Sequence, residues 1–366
     1  MIKLGPIMPL VYSGDGSFCL KYHLYSLGLA TMINMKNNER IQLHLPKTIA
    51  ACAISEHGDK ICNIDGNGNV FITYVNKLKT EKISNLFSEL SLSKDCMPRR
   101  MFFLDDANKI VTFIYFSQYK PREEYQCIIV TDILTKKSEV VIKINNSCFD
   151  SVERTDDEFT LFYILRKANH KNEFVFSRFN LPDTDANLSY ESANKYGLKS
   201  WYIKNLSATI FDSSNQYFYA IDKSLGFPIK QKNLKFFDYK NKRILPKTSS
   251  DWKNAIFEYI GWLPGKSLFL YKTKGQEKYF IGNIETGENV AVITFDDYDV
   301  IIRNCFDAYD EVNVLASKKE FNFNNRSIPI NSVYISSNKK FLVFENGKNA
   351  YAQDINVLLT FINKTR

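Results

Sequence analysis

The feature of this chain that most constrains its fold is a hairpin pattern that recurs along the sequence. In the segment Tyr279–Ile293, YFIGNIETGENVAVI, apolar and polar residues alternate, a Glu-Thr-Gly-Glu turn follows, and the alternation resumes. Alternation with a period of two is typical of a β-strand, and the turn residues predict an antiparallel pair. Because a repeated hairpin defines a whole architecture, its recurrence matters more than any single copy. Further copies begin at Met32, Phe71, Ile128, Val175, Leu234 and Ala350.

A second pattern, a polar turn followed by a strongly apolar strand, precedes each of these hairpins. Most of these turns also follow a short apolar strand, as IAACAI does before Ser55. Together the two patterns predict seven units of four strands, spaced about 40 to 60 residues apart. The turns begin at Ser13, Ser55, Asp105, Thr155, Asp212, Leu263 and Ser336.

This arrangement resembles the WD40-like β-propeller family, in which four-stranded blades of roughly 40 to 45 residues form a ring. The segment Ala51–Ile83, ACAISEHGDKICNIDGNGNVFITYVNKLKTEKI, matches best, and the pattern covers nearly the whole chain. The family's Trp-Asp dipeptide and Gly-His pair are absent, and TD, FD and QD stand instead at Asp132, Asp238 and Asp354. The resemblance implies an all-β fold, a single β-propeller domain of four-stranded antiparallel blades spanning residues 1–366.

The expected number of blades is seven, and eight is the alternative. Residues 296–330 do not fit the repeat, so they are expected to form an insertion or a partial blade. With seven blades, the apolar strand near the N-terminus completes the last blade, which leaves few sheet edges exposed. Burial of each blade on both faces explains near-continuous apolar runs such as KIVTFIYF from Lys109. The segment around Leu86 is expected to be an exposed linker or a single short helix.

Composition excludes several classes of protein. The 366 residues, 45% of them hydrophobic, indicate a folded chain, and no apolar window predicts a membrane-spanning helix. Gly5, Pro6 and Pro9 interrupt the N-terminal segment, so no secretory signal is expected. The seven scattered cysteines lack a C-x-x-C motif, which predicts small buried side chains rather than a disulfide or zinc framework. A cytoplasmic location is expected, with export by a signal-free route as the alternative.

Three motifs that suggest chemistry are better explained as turns. The PGKS sequence at Pro264–Ser267 lacks the earlier glycine of a phosphate-binding loop, because Ile260 stands at that position. The DGNGN sequence from Asp65 lacks the acidic ligand of a calcium loop, because Asn76 takes its place. His57 has no second histidine at a spacing suited to a shared metal. No catalytic, metal-binding or cofactor-binding residue is therefore predicted.

The net charge of +8 is expected to be distributed unevenly over the ring. In a WD40-like arrangement, the loops between second and third strands lie on one face, and here they hold twelve basic and seven acidic residues. Aromatic residues are interleaved with these charges, and such a face fits an acidic protein surface, a nucleic-acid backbone or anionic lipid. The pair Arg99-Arg100 does not match the Phe-Arg-Arg-Gly signature of lipid-binding propellers. The candidate partner-binding residues are Lys120, Arg122, Arg166, Lys167, Lys171, Lys223, Phe227, Lys230, Lys232, Lys272 and Lys274.

These observations predict a non-catalytic β-propeller that acts as a scaffold for protein–protein interaction within a complex. Rigid blades hold variable loops, and such loops commonly carry recognition. Nucleic-acid binding through the basic face is one alternative, and it predicts an affinity that falls steeply with added salt. A propeller enzyme with acidic or histidine residues clustered at the central channel is the second alternative.

Overall fold

The described residues of this computed structural model form six four-stranded β-sheets and one seven-stranded β-sheet. The seven sheets are consistent with the predicted seven blades. The structure describes residues 2–6, 10–22, 28–46, 48–104, 108–118, 123–145, 147–154, 160–167, 174–180, 191–192, 201–202, 216–222, 229–230, 234–238, 241, 243–245, 252, 255–264, 267–276, 278–295, 312–315, 320–323, 332–336, 338–345 and 348–365.

The sheets are numbered along the chain, and β1 (Ile2–Pro6) is set aside because it joins the last sheet. Sheet 1 contains β2 (Leu10–Tyr12), β3 (Phe18–Tyr22), β4 (Leu29–Asn34) and β5 (Arg40–His44). Sheet 2 contains β6 (Ile49–Ile54), β7 (Lys60–Asp65), β8 (Asn69–Tyr74) and β9 (Lys79–Asn85). Sheet 3 contains β10 (Met97–Leu104), β11 (Lys109–Gln118), β12 (Glu123–Asp132) and β13 (Lys137–Asn145). Sheet 4 contains β14 (Ser147–Arg154), β15 (Thr160–Lys167), β16 (Phe174–Asn180) and β17 (Glu191–Ser192).

The remaining strands form three sheets, and two short connections carry helices. Sheet 5 contains β18 (Trp201–Tyr202), β19 (Tyr217–Asp222), β21 (Leu234–Asp238) and β22 (Arg243–Ile244). Sheet 6 contains β20 (Ile229–Lys230), β23 (Ile256–Trp262), β24 (Leu268–Thr273), β25 (Tyr279–Asn283), β26 (Glu288–Phe295), β27 (Val312–Leu315) and β28 (Glu320–Phe323). Sheet 7 contains β29 (Ser332–Ile335), β30 (Phe341–Glu345), β31 (Asn349–Asp354) and β1. The helices are a 3-10 turn (Val75–Lys77), α1 (Leu86–Glu89) and α2 (Ile355–Thr365).

The hairpins predicted from Met32, Phe71, Ile128 and Leu234 are confirmed as the third and fourth strands of sheets 1, 2, 3 and 5, and the hairpin from Tyr279 is confirmed as β25 and β26 of sheet 6. The hairpin predicted from Val175 is confirmed in its first half, which is β16, and its second half, up to Leu188, lies outside the described residues. In the structure, β17 begins at Glu191 and pairs with Val175 and Phe176. The connection in sheet 4 is therefore longer than that of a tight hairpin.

A polar side chain at the end of the third strand organises these turns. The Asp132 Oδ1 atom accepts a hydrogen bond from the Thr135 backbone N–H at 2.8 Å, and Asp238 accepts one at 3.0 Å from the backbone three residues later. Asn34 and Asn283 accept equivalent bonds from the backbone two residues later. Asp and Asn favour turns because they form such bonds, which explains the TD and FD dipeptides.

Among the sheets with described side chains, neighbours pack face to face, and buried apolar residues fill the space between them. Neighbouring residues of one strand enter different clusters, because side chains alternate between the two faces of a strand. In β3, Cys19 packs toward sheet 7 and Leu20 toward sheet 2. In β24, Phe269 packs toward sheet 5 and Leu270 toward sheet 7. Burial on both faces confirms the explanation given for the continuous apolar runs.

The clusters join the sheets in the order 5, 6, 7, 1, 2 and 3, so the last sheet along the chain packs against the first. β14 of sheet 4 lies against β12 of sheet 3. The first strands of successive sheets approach one another, β2 with β6, β6 with β10, and β23 with β29. The first strands therefore form the inner edge of the arrangement.

The two ends of each sheet are distinguished by their connections. The "bc end" carries the connection from the second to the third strand, together with the start of the first strand, as the pairs Ile49↔Asp65 and Met97↔Tyr115 show. The opposite "ab end" carries the turn between the first and second strands and the connection between the third and fourth strands, as the pairs Lys60↔Tyr74 and Tyr74↔Lys79 show. The ab turns of sheets 7 and 1 are in contact, because the Asn338 side chain donates a hydrogen bond to the Ser13 carbonyl oxygen at 3.0 Å.

The N-terminal strand completes sheet 7, as the sequence predicted. β1 pairs antiparallel with β31, with Ile2 opposite Ala352 and Pro6 opposite Asn349. Leu4 is fully buried in the cluster between sheets 7 and 1. Strands from both ends of the sequence therefore share one sheet.

The hairpin predicted from Ala350 is wrong, because only its first half is a strand. β31 ends at Asp354, whose Oδ1 atom accepts a hydrogen bond from the Asn356 backbone N–H at 2.8 Å, and α2 follows directly. An acceptor at this position stabilises the start of a helix. The buried residues of α2 have helical spacing, and β1 already occupies the fourth position in sheet 7. These buried residues are Ile355, Leu358, Phe361 and Ile362.

The segment around Leu86 forms the short helix α1, which confirms one of the two expectations, and the other, an exposed linker, is wrong. Leu86 and Phe87 are buried in the cluster between sheets 2 and 3. Asn85 caps the helix by accepting a hydrogen bond from the Ser88 backbone N–H at 2.9 Å. Two apolar residues within a polar segment therefore anchor the connection between these sheets.

Other expectations from the sequence can be compared with the described part of the chain. β27 and β28, from within residues 296–330, extend sheet 6, with β28 parallel to β26. No helix among the described residues is long and apolar enough to cross a membrane. The cysteines with described side chains are free and buried, as predicted for small hydrophobic residues. They are Cys19, Cys52, Cys62, Cys96 and Cys127.

Candidate functional site

The candidate residues were chosen from the predicted connections between second and third strands, and the structure describes some of them. Arg166 and Lys167 are the last residues of β15 in sheet 4. Lys230, Lys272 and Lys274 are all associated with sheet 6. The others lie outside the described residues, and they are Lys120, Arg122, Lys171, Lys223, Phe227 and Lys232.

Lys230 and Lys274 are brought together by strand pairing, although Lys230 lies in the sequence between two strands of sheet 5. β20, from the connection of sheet 5, pairs with β23 of sheet 6 and sets Lys230 opposite Ile256. On the other side of β23, the Lys274 backbone N–H donates a hydrogen bond to the Ile256 carbonyl oxygen at 2.7 Å. Paired residues point to the same side of a sheet, and two strand spacings separate the lysines by about 10 Å. Both lysines are exposed, so this end of sheet 6 presents two adjacent positive charges.

Lys272, a third predicted residue, is engaged within sheet 6. Its Nζ atom lies 3.4 Å from the Glu258 Oε2 atom and 5.7 Å from the centre of the Tyr279 ring. Burial raises the pKa of Tyr279 to about 12, even though a hydrogen bond from the Val333 backbone N–H opposes that shift. The Tyr279 hydroxyl therefore stays neutral, and the lysine contacts an uncharged ring.

Glu258 belongs to an irregularity that recurs at the bc end and that sequence reasoning missed. The register of the first strand shifts by one residue near its start in sheets 2, 3, 4 and 6. Each shift is a β-bulge, which inserts one residue and re-aims its side chain. Because the first strands form the inner edge, the bulges line the inner rim of the bc end. The inserted residues are Ala50, Arg99, Asp150 and Glu258.

Of these four bulges, the one in sheet 3 is the one that the sequence pattern indicates. Two charged residues in a row, Arg99 and Arg100, break the alternation of MPRRMFFL. Both are exposed, while the next residue along, Met101, is buried. Without the inserted residue, one of the two arginines would point into the space between sheets.

Arg99 extends along the surface of sheet 3 toward the start of the strand. Its guanidinium carbon lies 5.4 Å from the centre of the Tyr115 ring, and its Nη2 atom lies 3.9 Å from the Met97 sulfur. Met97 is 43% exposed. A cation, an aromatic ring and an exposed thioether therefore form one surface group at the bc end of sheet 3.

The ab end carries a second cluster of polar residues that spans sheets 1 and 2. The Nδ1 atom of His57 lies 3.1 Å from the Asp15 Oδ2 atom. Burial opposes ionisation of Asp15, but hydrogen bonds from the Ser17 backbone N–H, Ser13, His57 and the Ser17 hydroxyl outweigh it and lower its pKa to about 2. The hydrogen bond to Asp15 raises the pKa of His57 above 6.5. This cluster is a charged link between two turns.

The other motifs considered above are turns in the structure. The Asp65 Oδ1 atom accepts hydrogen bonds from the backbone of Asn67 at 2.9 Å and of Asn69 at 2.8 Å. In the PGKS segment, the backbone N–H of Leu263 donates to the Leu268 carbonyl oxygen at 3.1 Å, which closes the turn between β23 and β24. Within the described ranges, no three His, Cys, Asp or Glu residues are grouped so that they could hold a metal ion.

The chain is similar in fold to several solved structures of low sequence identity. Hydrazine synthase from Kuenenia stuttgartiensis gives a TM-score of 0.53 at 12% identity, covering 96% of this chain and 97% of that one. The Cps50 (Swd1) β-propeller domain from Myceliophteria thermophila gives 0.52 at 8%, covering 96% and 98%. An oligogalacturonate lyase in complex with manganese gives 0.53 at 10%, covering 95% and 89%.

These similarities concern the fold alone, because identities of 8% to 12% do not carry a function from one protein to another. No family model matches the sequence, and the search of curated proteins found no match. The four-stranded antiparallel sheets, their face-to-face packing and the matched propeller domain agree with one another. The chain is an all-β protein with the β-propeller fold.

Proposed function

We propose that this β-propeller is a non-catalytic, WD40-like scaffold that binds a protein partner with an acidic surface and works as a subunit of a complex. The observation that carries the proposal is the convergence of Lys230 and Lys274 at the bc end of sheet 6. Two exposed positive charges on one side of a sheet attract a negatively charged surface and speed its encounter. Their closeness in space is not evident from their separation in sequence.

The backbone around these lysines is held in place, which favours binding. β20 pairs with β23 through Ile229 and Lys230, and β23 pairs with β24. A side chain on a fixed backbone loses less freedom when a partner binds than one on a free loop. The long connection of sheet 5 therefore works as an extension of sheet 6 that carries a recognition residue.

The enzyme alternative has less support from the inner edge. In the first strands with described side chains, β2, β6, β10, β23 and β29, the one acidic residue is Glu258. Glu258 is paired with Lys272 at 3.4 Å, so its charge is already compensated. A catalytic carboxylate pair has no counterpart in these strands.

Affinity purification with matched charge-reversal variants tests the proposal. The variant K230E/K274E reverses both charges at the bc end, and the control K36E/K79E reverses two exposed charges at the ab end. The wild type and the control are expected to capture the same protein from the native source, and the bc-end variant is expected to lose it while unfolding at an unchanged temperature. Equal capture by K230E/K274E would contradict the proposal, and loss of capture after nuclease treatment would favour nucleic-acid binding.

A cytoplasmic location is part of the same proposal. The five cysteines with described side chains are free, as is usual for a reducing compartment. Fluorescence microscopy of the tagged chain in its native source tests this, and accumulation outside the cell would contradict it.

A further inference from the structure

The bulge residues at the inner rim of the bc end differ in how their charges are compensated. Glu258 in sheet 6 has its carboxylate beside the Lys272 ammonium group. Arg99 occupies the corresponding position in sheet 3, and no carboxylate among the described residues lies within ion-pair distance of it. This guanidinium is exposed and lacks a carboxylate partner in the part of the chain that the structure describes, so it can bind a ligand.

The surroundings of Arg99 prepare it for binding. The Tyr115 ring lies 5.4 Å from the guanidinium carbon, and the Met97 sulfur lies 3.9 Å from Nη2. These contacts restrict the long side chain, so less rotamer freedom is lost when an anion binds. A planar guanidinium presents parallel N–H donors at its edge, which suits a carboxylate held by two parallel hydrogen bonds.

Met97 adds an apolar element to this cation. Its side chain is 43% exposed. Its strand partner Tyr115 is half-buried, and the next residue, Pro98, is buried. An exposed methionine beside an arginine and a tyrosine is the combination enriched in protein–protein interfaces. A nucleic-acid backbone would use the charge and leave the thioether unpaired.

We infer that Arg99, Tyr115 and Met97 form a recognition subsite for an acidic peptide segment, in which a Glu or Asp carboxylate binds Arg99 and an adjacent aliphatic side chain packs on Met97. The bulge creates this subsite, because the inserted residue turns the guanidinium out of the regular strand alternation. The inference rests on the proposed function and names the class of partner sequence that one part of the bc end would bind.

A fluorescence anisotropy titration of the full-length protein with labelled peptides tests the inference. One probe is a short peptide of alternating Glu and Leu, and a second replaces Leu by Ser at the same charge. The variant R99A is expected to weaken binding of the Glu-Leu peptide by about tenfold or more, the size of a lost charge-assisted hydrogen bond. The variant R99K keeps the positive charge but lacks the parallel N–H donors of the guanidinium, and it is expected to weaken peptide binding less than R99A does.

Two further comparisons assign the contacts. M97A is expected to weaken binding of the Glu-Leu peptide while leaving the Glu-Ser peptide unchanged, and the Met97 methyl NMR signal is expected to shift on titration with the Glu-Leu peptide. K36A, at the ab end, serves as the control and is expected to bind like the wild type. Because Arg99 and Met97 are exposed, these variants are expected to remain folded, which thermal unfolding checks.

The inference is overturned if R99A binds the Glu-Leu peptide as tightly as the wild type, or if the wild type shows no saturable binding. Tighter binding of a single-stranded oligonucleotide that also depends on Arg99 would overturn it in favour of nucleic acid. Failure here is distinguishable from failure of the proposed function. If K230E/K274E loses the captured partner while R99A retains the peptide, the scaffold proposal stands and the Arg99 subsite does not.

Discussion

The Asp15 carboxylate in the ab turn of sheet 1 lies 3.1 Å from the Nδ1 atom of His57 in the ab turn of sheet 2. The backbone also joins these turns, because the Asp15 N–H donates to the Glu56 carbonyl oxygen at 3.2 Å. A charged contact therefore crosses from one sheet to the next at the ab end.

The first prediction concerns the titration of His57. Its hydrogen bond to Asp15 raises its pKa above 6.5, and the charges of Asp15, Glu56 and Asp59 act in the same direction. We expect D15N to shift the pKa of His57 down toward 6.5, as followed by NMR titration of the imidazole ring, and E56Q to shift it less. An unchanged pKa in D15N would show that the contact does not form in solution.

The pH dependence of this contact follows from the two pKa directions. The raised pKa of His57 stabilises the fold below pH 6.5, and this contribution is lost as the pH rises through the folded-state pKa. The lowered pKa of Asp15 stabilises the fold above its ordinary value of 3.8, and this contribution is lost as the pH falls through about 2. The contact is therefore strongest between about pH 4 and 6.5. In D15N the free energy of unfolding is expected to vary less with pH near both of these values.

The second prediction uses three glycines in different surroundings. Gly68 has a φ of +80°, and a Cβ atom there would lie 2.6 Å from the Phe87 ring. Gly275 shares the φ of +80° without a neighbour within 4 Å, and Gly66 has neither constraint. We expect G68A to lower the free energy of unfolding by about 2 to 4 kcal/mol, G275A by about 1 to 2, and G66A by less than about 0.5. Chemical denaturation measures all three.

The order of these losses is the diagnostic result. If G68A and G275A were equally destabilising, the backbone conformation alone would matter, and Phe87 would not pack against the turn of sheet 2. That outcome would contradict the contact between Phe87 and Gly68 that holds α1 in place.

The third prediction tests the pairing of β1 with β31. Leu4 is fully buried between sheets 7 and 1, so L4A is expected to lower the free energy of unfolding by about 2 to 5 kcal/mol. The control L134A removes a side chain that is 76% exposed and is expected to change stability by less than about 0.5 kcal/mol. A neutral L4A would mean that the N-terminal strand contributes little to sheet 7.

Local periodicity explains which elements could be predicted from sequence. The hairpin Tyr279–Ile293 was identifiable because alternation and turn chemistry point to the same structure. The helix α2 was missed because its apolar run satisfies a strand pattern almost as well as a helical one. What decides between them is non-local, since β1 occupies the position that a further strand of sheet 7 would need.

The candidate site was predictable in part for the same reason. The basic character of the second-to-third strand connections is visible in the composition. The pairing of Lys230 with Ile256 is not, because it adds a segment between two strands of sheet 5 to sheet 6. The bulges leave almost no trace in the sequence, because one inserted residue only shifts the alternation. The adjacent arginines Arg99 and Arg100 were a visible exception, and their meaning required the register of β10 against β11.

The central claim is that the bc end of sheet 6 binds an acidic protein surface, and the dissociation constant of the captured partner tests it most directly. We predict that K230E/K274E raises this constant by about tenfold or more, that K36E/K79E leaves it unchanged, and that added salt weakens binding of the wild type more than that of the variant. Equal dissociation constants for the wild type and K230E/K274E at low salt would contradict the account.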